Sequence, residues 1–95
     1  MASYACNEIK VSFNDDNISE QMIEVIFKRF KEELTEVDIH SINDDNSVFE
    51  ASFQSRWSEP KDFLVSLCNE FDLDICGVCW EFGNDYVNSF HFRKT

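Results

Sequence analysis

An α+β domain with the element order β-α-β-β-α-β-β is what this sequence of 95 residues predicts. Short segments alternate apolar and polar residues as half-buried strands do, two longer segments repeat apolar residues at helical spacing, and Asn, Asp, Gly and Pro mark the joints. One joint is repeated: Asn-Asp-Asp-Asn occurs at 14–17 and again at 43–46, each time directly after a strand-type run.

The first strand is read from Ile9, Val11 and Phe13 alternating with Glu8, Lys10 and Ser12, and it stops at the first Asn-Asp-Asp-Asn turn. Asn17 is expected to cap a helix running from Ile18 to Leu34, whose stripe of Ile18, Met22, Val25, Ile26, Phe30 and Leu34 faces the core. Val37, Ile39 and Ser41 alternate with Asp38, His40 and Ile42, a strand polar enough for a sheet edge. After the second Asn-Asp-Asp-Asn, Val48 to Trp57 sets Phe49, Ala51 and Phe53 against Glu50, Ser52 and Gln54, so these two strands form a hairpin.

Ser58-Glu-Pro-Lys-Asp starts a second helix, because Ser can cap and Pro is tolerated only in the first turn. Phe63, Leu64, Leu67, Cys68 and Phe71 are its buried stripe. Leu73 to Phe82 is a strand, Gly83-Asn84-Asp85 a turn, and Tyr86 to Arg93 a final strand. Two interleaved β-α-β units with both helices on one sheet face make a ferredoxin-like βαββαβ sandwich, here with an extra C-terminal antiparallel strand. Residues 1–95 are expected to be a single domain.

Nineteen acids against eight Lys and Arg give a formal charge of −11. Direct binding to nucleic acid or to an anionic membrane would work against that field. The first residues carry neither a basic region nor a long apolar stretch, and no segment suits a membrane span, so a cytoplasmic protein with four reduced cysteines is expected. Cys76 and Cys79 have metal-knuckle spacing, but residues three apart on a strand point to opposite faces, so no zinc is expected there. His40 and His91 are isolated on strands and read as surface or packing residues. No nucleophile motif or Gly-rich phosphate loop is present, so neither catalysis nor a cofactor is expected.

Phe53-x-Ser55-x-Trp57-Ser58-x-Pro60, then Phe71-Asp-Leu73, then Trp80-Glu81-x-Gly83 before a final aromatic strand form a pattern that resembles the YubB-like ferredoxin-like domains of plasmids and phages. The resemblance covers the C-terminal half. It implies the same fold and a mobile-element origin, and it supplies no catalytic residues.

In this topology three connections fall at one end of the domain: 14–17, 43–46 and 69–72, contributing Asp15, Asp16, Asp44, Asp45, Glu70 and Asp72. Lys28, Arg29, Lys31, Arg56 and Lys61 are expected toward the opposite end. A single Asn-Asp turn needs no function, since these side chains bond their own backbone. Carboxylates crowded together repel one another and call for something cationic. The expected partner is the basic surface of a nucleic-acid-binding protein, gripped by carboxylates that imitate phosphates, as in an inhibitor of a host defence nuclease of anti-CRISPR or anti-restriction type. The alternative is a divalent cation held by Asp15, Asp16, Asp44 and Asp45 for binding or phosphoryl chemistry, although the regular calcium-loop spacing is absent. Trp80, Phe82 and Phe92 are expected to pack, with a homodimer left open.

Overall fold

The computed structural model describes residues 4–14, 18–42, 47–56, 59–81, 83 and 86–94. The chain forms β1 (Tyr4–Phe13), α1 (Glu20–Glu33), β2 (Thr35–Ile42), β3 (Val48–Arg56), α2 (Lys61–Phe71), β4 (Leu73–Glu81) and β5 (Tyr86–Phe92). The strands form one antiparallel sheet in the order β2-β3-β1-β4-β5, an α+β arrangement consistent with the expected fold class.

Pleating decides which side chains meet. Ala5, Asn7, Ile9, Val11 and Phe13 of β1 are buried, whereas Glu8 and Lys10 are exposed on the other face. Phe49, Ala51 and Phe53 of β3 flank them on one side, and Leu73, Ile75 and Cys79 of β4 on the other. Ile23, Ile26 and Phe30 of α1 and Leu64, Leu67 and Cys68 of α2 join Ile9, Val11, Phe13, Phe49, Ala51, Phe53, Leu73 and Ile75 of the strands in one core cluster. Phe30 is fully buried, with Phe49 and Phe63 edge-on at 6.1 and 5.8 Å between ring centroids. Edge-to-face rings add to the gain from area burial alone.

Gly77 lets β1 and β4 approach. A Cβ there would lie 2.3 Å from the Glu8 carbonyl oxygen and 2.8 Å from Ile9 Cγ2, so any side chain would push the paired strands apart.

Both helix starts differ from the sequence expectation. The cap of α1 is Ser19 rather than Asn17, which lies outside the described residues, and the Ser19 hydroxyl accepts a bond from the Met22 amide at 3.1 Å. Ile18, expected to be helical, instead precedes the cap and packs on the core, five residues before the buried Ile23, the spacing of a hydrophobic staple. At α2 the cap position is Pro60, with no side-chain cap, while the expected cap Ser58 is outside the described residues. Pro60 serves through its carbonyl, which accepts from Leu64 N at 3.1 Å.

The edge strand β2 is irregular. Its register with β3 shifts between Thr35 and Asp38 and again between Ile39 and Ser41, and Glu36 adopts a left-handed φ of 54°. Bulges of this kind blunt an edge against further pairing.

Candidate functional site: an acidic end where three connections meet

Strand β1 runs toward the end of the sheet where β3 and β4 begin, and hydrogen bonds tie these points together. Phe13 N donates to Ser47 O at 2.9 Å, joining the end of β1 to the residue before β3. Asn14 N donates to Asp72 O at 3.2 Å, joining the first connection to the one between α2 and β4. The Asn14 side-chain amide donates to Asp72 Oδ1 and to Asp74 Oδ1, both at 3.3 Å. Asn14 thus brings a positively polarised N–H group between two carboxylates that would otherwise repel.

Asp72 is shaped by the helix before it. It ends α2 with φ 56° and ψ 62°, its amide donating to Cys68 O. Only Gly, Asn and Asp enter this left-handed region readily, so the residue type suits the cap as well as the charge. Asp74 was missed in the sequence reading. Its signal was the alternation of Leu73 and Ile75, both buried, which turns Asp74 to the opposite face of β4.

The other expected residues fare differently. Asp15, Asp16, Asp44 and Asp45 lie outside the described residues, between Asn14 and Ile18 and between Ile42 and Ser47. Glu70 forms an ion pair with Arg29 of α1, whose guanidinium also sits 6.0 Å from the centre of the Phe71 ring. Arg29 was expected at the opposite end, and this is corrected: its long side chain reaches across to the last turn of α2. Both partners are solvent-accessible, at 39% and 48% of the side-chain surface, so the pair contributes little stability but does answer the Glu70 charge. Because β5 runs antiparallel to β4, with Phe92 opposite Ile75, the exposed Arg93 and Lys94 follow at the border of the acidic end.

A second polar group, absent from the sequence reading, sits at the other end of the core. The Glu59 carboxylate accepts from the Tyr86 hydroxyl at 2.9 Å and from the Asn88 amide at 2.6 Å. Beside it, burial and then the Glu59 charge push the Cys79 thiol up to about 11. Burial, followed by the hydrogen bond to Glu59, also raises Tyr86. Asn7, 1% exposed, donates to Ser55 Oγ at 2.9 Å while its own Oδ1 has no partner among the described residues. The alternation that puts Ile9, Val11 and Phe13 inside, extended back by two residues, would have marked Asn7 as buried.

The cysteines follow their strand positions. Cys76 is exposed and Cys79 buried, on opposite faces of β4 as their spacing requires. Among the described residues, no group of three His, Cys, Asp or Glu is placed to hold a metal ion. His40 lies on the sheet surface, 3.4 Å from Asp38 and 3.7 Å from Glu8. Of the aromatics weighed together, Trp80 and Phe92 occupy opposite faces of the sheet, Phe92 stacking on Phe90 at 5.1 Å beside the core, while Phe82 is outside the described residues.

No described helix is long and apolar enough to cross a membrane. The chain matches no family model, no curated protein and no solved structure.

Proposed function

We propose that this chain is a ferredoxin-like domain, akin to the YubB-like domains of mobile elements, that acts without catalysis by presenting an acidic end to a basic protein surface. The sheet order and the contribution of both helices to one core cluster support the fold assignment. The functional reading is carried by one observation: Phe13–Ser47 and Asn14–Asp72 backbone bonds gather the stems of three acid-bearing connections at one end.

The counterpart is the Arg- and Lys-lined groove of a nucleic-acid-binding protein, such as a host restriction or CRISPR nuclease. Carboxylates at this end would occupy positions that phosphates occupy in its substrate, and a chain of charge −11 would be steered there over a Debye length. The test is competition: fluorescently labelled duplex DNA is bound to such a nuclease, and the protein is titrated in while anisotropy is followed. Displacement should weaken as salt rises from about 0.05 to about 0.3 M. Failure to displace DNA from any host nuclease at the lower salt would remove the reading.

A further inference from the structure

The geometry points to a second copy of this chain as the partner of the outer edge of β5, through a two-fold strand pair that continues the sheet. The two sheet edges are built differently. Strand β2 carries register shifts, a left-handed Glu36 and exposed acids, all of which hinder pairing. Strand β5 pairs with β4 without a shift from Tyr86–Glu81 to Phe92–Ile75, and its sequence Tyr-Val-Asn-Ser-Phe-His-Phe contains no Asp, Glu, Lys or Arg. No described strand covers its other side.

That neutrality selects the occupant. In a chain of charge −11, β5 is a stretch along which two copies can meet without opposing acids. Full antiparallel overlap of Tyr86–Phe92 with itself places Ser89 on the two-fold axis. Tyr86 then faces Phe92 of the second copy, and Asn88 faces its Phe90, on the side where Phe90 and Phe92 are stacked and only partly buried. Cross-strand aromatic pairs of this kind stabilise a sheet. On the other face Val87, 73% exposed, comes opposite His91 of the second copy. The exposed Arg93 and Lys94 run past the partner's turn end, where Glu59 holds Tyr86, so opposite charges approach at both ends of the seam. The pairing uses backbone groups and apolar contacts, and it is independent of the acidic-end reading.

Sedimentation equilibrium from about 10 to about 500 μM, with hydrogen exchange at both limits, tests it. The mass should rise from 11.2 kDa toward twice that value, with alternate β5 amides slowing by about tenfold at high concentration. A Val87→Lys, His91→Lys variant sets Lys against Lys twice across the axis at exposed positions, and should remain monomeric with its melting temperature unchanged at low concentration. A wild type that stays monomeric, one that grows beyond a dimer, or a double-Lys chain that dimerises equally well would overturn the proposal. The DNA competition assay is indifferent to these outcomes, so either reading can fail alone.

Discussion

Asp72 combines a backbone role with a charge, and the two can be separated. Its left-handed conformation closes α2, and its carboxylate accepts from Asn14. Asn tolerates the same conformation, so Asp72→Asn should leave stability within about 0.5 kcal/mol by urea unfolding while weakening any charge-driven partner contact. The buried thiols make the stability of the fold depend on pH. Burial pushes Cys68, as well as Cys79, from an ordinary 9.0 up to about 11. The unfolded chain therefore releases these protons at lower pH than the folded one, and stability that is fully present below about pH 9 is lost as pH rises toward 11. Melting temperatures measured across this interval should fall, and a Cys68→Ala, Cys79→Ala variant should show a shallower decline. Residue-level features were legible where periodicity governed them: the divergence of Cys76 and Cys79 followed from strand alternation. Arg29 was not legible, because the reach of a long side chain between helices depends on how the helices cross, which no local pattern encodes.

At the scale of elements, the segment before α2 does more than start a helix. Glu59 fastens the edge strand β5 through Tyr86 and Asn88, while Phe90 and Phe92 of the same strand pack against the core. Removing the carboxylate leaves two donors without their charged acceptor, so Glu59→Ala should cost about 2–3 kcal/mol. Faster amide exchange confined to β5 would locate the loss, and equal acceleration throughout the sheet would argue against this role. The strands and helices themselves were readable within a few residues, since alternation and helical spacing are imposed by the burial they produce. The helix caps were harder. Asn17 and Ser19 are both good capping residues, and the choice between them rests on Ile18, which packs on the core outside the helix rather than within its first turn. The polar group around Glu59 was hidden because its members come from β1, β3, β4, β5 and the segment before α2, far apart in sequence.

At the scale of the whole molecule, the uneven distribution of charge is the property that links fold to proposed function. Topology could be read well enough to expect three connections at one end, and the bonds made by Phe13 and Asn14 join their stems. The separation of acids from bases is incomplete, because Arg29, expected at the opposite end, answers Glu70, and Arg93 with Lys94 borders the acidic end. A nucleic-acid mimic must depend on where its acids are, and a merely soluble acidic protein only on how many there are. The most direct measurement compares two variants of equal net charge in the DNA competition assay: Asp15, Asp16, Asp44 and Asp45 all changed to Lys, against exposed Glu32, Glu33, Glu36 and Asp62, toward the opposite end, all changed to Lys. With both variants folded by circular dichroism, the first should no longer displace DNA while the second still does. Equal loss in both would contradict nucleic-acid mimicry.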